Sequence, residues 1–168
     1  EPWIDAINVD FKAYTERFYT ELCGTRLEPV LENLKRIKRM GWWLEVTTLI
    51  IPGQNDSEQE LEGIATFIRD ELGAETPWHL SRFHPCYKMT QTPTTPVSTL
   101  ETAHAIGKRA GLNFVYLGNV PGRKEGNTYC PNCERTLIQR SGFSTGASQV
   151  ENGNCCNCGR PIPGVDLG

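Results

Sequence analysis

The sequence of 168 residues predicts a parallel α/β domain carrying a small, metal-stapled tail. Two observations carry that prediction. Over residues 1–118, short β-branched runs alternate with segments of helical periodicity, which is the pattern of a parallel sheet with crossover helices. Over residues 119–168 the alternation stops, and two Cys-x-x-Cys pairs appear in a glycine-rich stretch. With 38% hydrophobic and 22% charged residues, the chain has enough apolar material for a packed core.

The elements follow in order. Ala6-Ile7-Asn8-Val9-Asp10-Phe11 reads as a short strand ending in polar residues, and a short helical segment over residues 16–22 comes next. Apolar residues then recur at Leu27, Val30, Leu31, Leu34, Ile37 and Met40, marking an amphipathic helix that Gly41 stops. Its other face, with Lys35, Arg36, Lys38 and Arg39, is expected to be a solvated basic face. Residues 42–51 are almost continuously apolar and β-branched, so we expect a strand buried on both faces. Pro52-Gly53 breaks it, and Gly53 supplies a positive φ for the turn. Ser57 and Glu60 form a capping-box signature before a helix packing through Leu61, Ile64, Ala65, Ile68 and Leu72, which Gly73 ends. Residues 78–84 make a third strand, followed by a Pro- and Thr-rich loop. Ser98 with Glu101 should cap a fourth helix ending at Gly111, and residues 113–117 a fourth strand. Four strands cannot close an eight-stranded barrel; they form an open sheet or part of a larger barrel.

The tail carries eight of the 16 glycines and few large apolar residues beyond Tyr129, Leu137, Ile138, Phe143, Val150 and Ile162. A unit of about 40–70 residues with so thin a core needs a staple. The spacing Cys130-x2-Cys133-x21-Cys155-x2-Cys158 supplies one, since two such knuckles complete a tetrahedral thiolate site. Zn2+ is expected, with Fe the competitor that takes the same ligands. Cys156 is read as a neighbour of the ligand Cys155. Four closed thiolates leave no open position, which makes the ion structural.

A net charge of −3 argues against a protein held to nucleic acid by phosphate contacts. No apolar stretch approaches the roughly 18–20 residues of a membrane span, and no signal peptide opens the chain. Seven cysteines, an odd number with four in paired knuckles, suit metal binding in a reducing cytoplasm. The chain opens on Glu1 rather than Met, and we expect a fragment or a processed product.

At the strand ends the residues become recognisable. Asn8-Val9-Asp10-Phe11-Lys12 resembles the Asp-Leu-Lys strand end of radical S-adenosylmethionine (radical SAM) enzymes of the pyruvate formate-lyase activating type. Leu22-Cys23-Gly24, the Ile50–Asp56 turn and Arg82-Phe83-His84-Pro85 follow in the same order. The ending, Asn127-Thr128-Tyr129-Cys130-Pro131-Asn132-Cys133 with Cys158-Gly159-Arg160-Pro161-Ile162-Pro163-Gly164, is similar to that of the AmmeMemoRadiSam system radical SAM enzymes. The resemblance implies the C-terminal part of a partial (β/α)6 barrel over residues 1–118, with a zinc-ribbon-like tail over 119–168. It also implies a [4Fe–4S] cluster in the intact enzyme, held through Cys-x3-Cys-x2-Cys. That spacing does not occur here, so the cluster ligands are expected in a barrel half outside this chain.

In intact relatives, reductive cleavage of S-adenosylmethionine yields a 5′-deoxyadenosyl radical that abstracts hydrogen from a substrate, the chemistry belonging to the cofactors. The resemblance places Asp10 at the S-adenosylmethionine ammonium or a nearby cation, Lys12 at its carboxylate, and His84 near the adenosine. Thr47 stands where the family pattern has an arginine, so a hydroxyl contact replaces a guanidinium clamp. A surface Asp-Lys pair and a structural histidine are the plainer alternatives. Cys86 is expected to be a buried, inert thiol, and Ile7, Val46 and Leu49 to be partly unshielded.

The first functional expectation is therefore a radical SAM enzyme that modifies a protein or small molecule. Its implied partners are the other barrel half, an unidentified substrate and an electron donor such as flavodoxin or ferredoxin. This chain alone would be inactive. A non-catalytic zinc-ribbon interaction module and a rubredoxin-like electron-transfer tail are the rivals. Metal analysis separates the last from the others.

Overall fold

A computed structural model describes residues 3–142 and 144–167; Glu1 and Phe143, singled out above, lie outside them. Four parallel strands, β1 (Ala6–Asp10), β2 (Trp43–Ile50), β3 (Trp78–Arg82) and β4 (Val115–Gly118), form one sheet in the order β1-β2-β3-β4. Helix α1 (Glu16–Phe18) runs into a π-type turn over Tyr19–Cys23. Helix α2 (Leu27–Arg39) joins β1 to β2, α3 (Glu58–Phe67) with a π-type turn over Ile68–Leu72 joins β2 to β3, and α4 (Val97–Arg109) joins β3 to β4. Strands that follow one another across the sheet without a reversal of order place right-handed crossover helices on the same face. This is the winding of a β/α barrel and not of a doubly wound open sheet, which needs a reversal point.

The core lies between the helices and one face of the sheet. Leu44, Val46 and Ile50 of β2 and Trp78 and Leu80 of β3 pack against Leu34, Leu61, Ile64, Ile68 and Leu100. Buried polar groups there are satisfied in a chain: Trp78 Nε1 donates to Thr48 Oγ1 at 2.9 Å, and that hydroxyl donates to the Phe11 carbonyl at 2.7 Å. Such pairing is what burial of polar atoms demands.

Several expectations need correction. Strand β2 is not buried on both faces: Leu44, Val46, Thr48 and Ile50 are buried, but Trp43, Glu45, Thr47 and Leu49 are half-buried. The helices cover only one side, and the other side carries the polar residues. Val46, expected to be partly unshielded, is fully buried under the helices, while Ile7 and Leu49 are half-buried. Cys86 is exposed rather than buried, because it follows the end of β3 in a loop. Helix α4 begins at Val97 with Pro96 at its N-cap and no side-chain cap, so Ser98 sits within the first turn. At α3, Ser57 Oγ accepts from the Glu60 amide at 3.2 Å as expected, but the Glu60 carboxylate reaches away to the Tyr14 amide.

Among the described residues the tail forms three two-stranded antiparallel pairings: β5 (Thr128–Tyr129) with β6 (Thr136–Ile138), β7 (Arg140–Ser141) with β8 (Ser144–Thr145), and β9 (Val150–Glu151) with β10 (Asn154–Cys155). Cys130, Leu137, Val150, Cys155 and Ile162 make its buried cluster. An ion pair of 2.8 Å between Arg160 and Glu75 ties it to the loop before β3. No helix among the described residues is long and apolar enough to cross a membrane.

Candidate functional site

The two cysteine knuckles have the same backbone design. The Cys130 amide donates to the Arg135 carbonyl and the Glu134 amide to the Cys130 carbonyl; likewise Cys155 donates to Arg160 and Gly159 to Cys155. The fourth residue after each first cysteine turns through a positive φ, +58° at Glu134 and +71° at Gly159. Such a turn brings both sulfurs of a pair to one side. The Sγ atoms of Cys130, Cys133, Cys155 and Cys158 all lie within 4.8 Å of one another, with 3.5 Å between Cys130 and Cys158 and 3.7 Å between Cys133 and Cys155. A tetrahedron with metal–sulfur bonds of about 2.3 Å has sulfur–sulfur edges of about 3.8 Å. A disulfide would need about 2.05 Å. The donor set therefore fits a tetrahedral ion.

The surroundings also favour thiolates. The Asn132 side chain of the first knuckle, with the Arg160 amide, draws the Cys158 thiol down to about 6. In the reverse sense, the Arg135 amide and the Asn157 side chain of the second knuckle lower Cys133. Burial, in contrast, pushes Cys130 up to about 11. Cys156 points elsewhere and donates to Gln149 Oε1 at 3.5 Å, in keeping with its reading as a neighbour. The four thiols are the group of metal-binding type among the described residues, and Cys23, Cys86 and Cys156 are exposed and outside it. These three do not fit the ligand set of an iron–sulfur cluster.

The second candidate region is the helix-free face of the sheet. Strand register aligns Asp10, Thr47, His79 and Tyr116 in one row across all four strands. Of the residues predicted from sequence, Asp10 and Thr47 are direct cross-strand partners, and Lys12 Nζ lies 3.0 Å from Asp10 Oδ2. The Thr47 hydroxyl donates to Asn8 Oδ1 at 2.9 Å. His84 follows the end of β3, exposed, and lines a cavity with His79 and Tyr116 from which Asp10, Lys12 and Thr47 are absent.

The end of β1 is held firmly. The Phe11 amide donates to the Thr47 carbonyl at 2.9 Å and the Lys12 amide to the Tyr19 hydroxyl at 3.1 Å. Buried Asn55 donates to the Lys12 carbonyl at 2.6 Å and to the Leu49 carbonyl at 2.9 Å, while its Oδ1 accepts from the Ile51 amide at 2.7 Å. One amide side chain thus stitches the ends of β1 and β2 together, where the sequence showed it only as part of the turn after β2.

Sequence reasoning also missed a polar chain on this face. Glu45 Oε2 lies 2.8 Å from His79 Nε2 and Glu45 Oε1 accepts from Trp43 Nε1 at 3.1 Å. The His79 ring stacks on Tyr116 with centroids 5.1 Å apart. The Tyr116 hydroxyl meets Thr128 Oγ1 at 3.0 Å, and Arg140 of the tail donates to the same Thr128 at 2.7 Å. A carboxylate inside a strand otherwise of apolar and β-branched residues was the available signal, because alternation must send Glu45 away from the core.

The hydrogen bond from His79 holds the Glu45 carboxyl below its ordinary value. A carboxylate depressed in the folded state adds stability above its unfolded-state pKa, and loses it as pH falls through the folded-state value. Glu45→Gln is expected to lower stability near neutrality by about 0.5–1 kcal/mol, the half-exposed setting weakening the contact. It should also flatten the acid limb of a stability–pH curve. Urea unfolding from neutral to acid pH reads both, and superimposable curves for the two proteins would refute the assignment.

Singly wound parallel strands, helices on one face and a tail with four convergent thiols define part of a β/α barrel bearing a zinc-ribbon-like appendage. Solved structures agree with the fold. A domain of a pyruvate-formate lyase-activating enzyme from Bacteroides vulgatus matches with a TM-score of 0.60 at 18% identity, covering 68% of each chain. A radical SAM methyltransferase from Sphaerobacter thermophilus matches with a TM-score of 0.57 at 17% identity, over 70% of this chain and 34% of the other. In sequence, an uncharacterised protein of Methanocaldococcus jannaschii is 49% identical over 161 residues, which are 95% of this chain and 48% of that protein. The benzylsuccinate synthase activating enzyme of Thauera aromatica is 29% identical over 84 residues, half of this chain and 25% of that enzyme. The chain thus spans about half the length of the first relative and a quarter of the second. No protein-family model matches it.

Proposed function

We propose that the chain is part of a radical SAM enzyme of the AmmeMemoRadiSam type, in which the strand ends hold S-adenosylmethionine and the tail holds a structural zinc ion. The observation that carries this reading is the clamped Asp10–Lys12 pair beside Thr47, at the C-terminal end of parallel strands, where barrels gather their ligands. The amino-acid end of S-adenosylmethionine is itself an ammonium and a carboxylate. Asp10 accepts from the first and Lys12 donates to the second. The exposed pair they form with each other is worth little, so exchanging it for two ligand contacts costs little. Thr47 offers its hydroxyl oxygen from the adjoining strand, and His84 lies on the adenosine side.

An iron–sulfur cluster supplies the one-electron chemistry in such enzymes when bound; the described cysteines outside the ribbon do not fit it. The reading therefore places the cluster ligands on another barrel half, and a flavodoxin- or ferredoxin-like donor and a protein or small-molecule substrate complete the set of partners. A cytoplasmic setting suits its free thiols.

Lys12→Ala tests the reading. In the assembled, cluster-loaded enzyme, S-adenosylmethionine should bind about ten-fold more weakly, the expected loss for one charge-assisted hydrogen bond. Stability should change by less than about 1 kcal/mol, because the ion pair is exposed. Calorimetric titration and thermal melting separate the two, and unchanged affinity would sink the assignment.

A further inference from the structure

We propose that the cavity between the ends of β3 and β4 and the hairpin tail binds a small oxyanion, a carboxylate or phosphate group, through Arg82 and Arg140. This goes beyond the S-adenosylmethionine reading: of the residues that reading uses, His84 lines the cavity, whereas Asp10, Lys12 and Thr47 do not, and neither Arg82 nor Arg140 has a part in it. The cavity measures about 750 Å³. Among the described residues its charged and titratable wall consists of Arg82, Arg123, Arg140, His79, His84 and Tyr116, with no aspartate or glutamate. In a chain of net charge −3, so one-sided a wall is not what composition alone would produce.

The arginines differ in how far they are neutralised. Arg123 pairs with Glu101 and Glu125, and His79 with Glu45. Among the described residues, Arg82 and Arg140 form no ion pair with any carboxylate. Half-buried Arg82 spends its Nε on the Thr95 carbonyl at 2.8 Å. Arg140, exposed on the tail side, spends Nη1 on Thr128 Oγ1 at 2.7 Å and the Gly126 carbonyl at 3.2 Å, with its guanidinium 5.5 Å from the centre of the Tyr116 ring. A guanidinium has five N–H donors, so each keeps donors uncommitted while neutral contacts fix its position. Two anchored guanidinium groups without an ion-pair partner stand on one concave wall, and their planar forks match carboxylate or phosphate oxygens. Glu45, which lines a neighbouring cavity with Arg140, offsets part of the charge of that residue and leaves Arg82 the freer of the two. A cleft lined by one sign of charge strengthens the attraction for an anion.

The division of labour between the elements is informative. Arg82 belongs to β3, and buried Thr95 secures it, its hydroxyl donating in turn to the Ile50 carbonyl at 2.6 Å. Arg140 belongs to the tail and lies where the knuckle-bearing hairpins meet the sheet. The site is therefore built only when the tail is folded against Tyr116, which makes the ribbon a wall of a binding site as well as a folding unit.

Titration of the zinc-loaded chain with inorganic phosphate, and separately with succinate, at fixed ionic strength tests the proposal. The arginine Nε–H resonances in nitrogen-15 spectra are the readout. Saturable, single-site shifts at Arg82 and Arg140 are expected for at least one probe, and the tighter probe identifies the class of anion. Arg82→Gln and Arg140→Gln should each weaken binding about ten-fold, the equivalent of a charge-assisted contact, while Arg36→Gln on α2 should not. Should Arg140→Gln loosen the tail, which zinc content would reveal, Arg82→Gln still reads the site from the sheet side. Absence of saturable binding by both probes, or wild-type affinity in Arg82→Gln with full zinc content, would overturn the proposal.

Discussion

Removal of the tail metal by a chelator is expected to melt residues 125–165 and leave the four-stranded sheet folded. The tail's buried cluster contains three aliphatic side chains, Leu137, Val150 and Ile162, beside two of the cysteines. Each aliphatic contributes about 1.5–3 kcal/mol on burial, whereas a structural zinc ion contributes about 10–16 kcal/mol in apparent terms at neutral pH. Metal is thus the larger contribution. Without it, four thiols crowd within 4.8 Å of one another, and the hairpins are too short to persist alone. The sheet loses part-buried contacts to the tail, chiefly Arg160 with Glu75 and Tyr116 with Thr128 and Arg140, and keeps its own core. Hydrogen exchange should show tail amides losing protection on chelation while amides of β2 and β3 keep theirs. Elemental analysis should find one zinc per chain; iron with a rubredoxin-like visible spectrum would reject zinc. Cys155→Ser should lower metal affinity by more than about 100-fold, beyond the range of second-sphere substitutions. Full affinity in that variant would show that Cys155 is not a ligand.

The parts legible in the sequence were those governed by local rules. Helices α2 and α3 follow from their periodicity and from Gly41 and Gly73, which take positive φ of +79° and +97° where the chain leaves each helix. The two cysteine knuckles follow from spacing alone, because two residues between cysteines set the local geometry wherever a knuckle sits. What escaped depended on which side of the sheet the helices cover. Trp43, Thr47 and Leu49 look as suited to burial as Leu44 and Val46, so β2 reads as buried on both faces until the strand order assigns every helix to one. Glu45, His79 and Tyr116 come from three strands and meet only through register, while Arg140 reaches them from a hairpin some 24 residues past Tyr116 in the chain. The cap of α4 was misplaced for a related reason. Ser98 matched the local signature, but buried Thr95, bonded to the Ile50 carbonyl and to the Phe83 amide at 3.2 Å, fixes where the loop ends and the helix starts.

Expressed alone, the 168-residue chain is expected to give no reductive cleavage of S-adenosylmethionine. The argument is one of inventory and placement. A cluster that leaves one iron open to the cofactor needs three convergent cysteines. Four of the seven cysteines here converge on one another in the ribbon, at sulfur separations that suit a single ion. Of the remaining three, Cys23 follows α1, Cys86 follows β3 and Cys156 lies in the second knuckle, all exposed and none grouped with the others as metal ligands. The clamped end of β1 can still present Asp10 and Lys12, so weak binding of the intact cofactor is compatible with complete absence of its cleavage. Anaerobic reconstitution with iron and sulfide, reduction, and a search for 5′-deoxyadenosine make the decisive assay. Levels no higher than a no-protein control are expected. Sustained production above that control, lost in a variant of Cys23, Cys86 or Cys156, would show that these thiols do assemble a working cluster and that the placement argument is wrong.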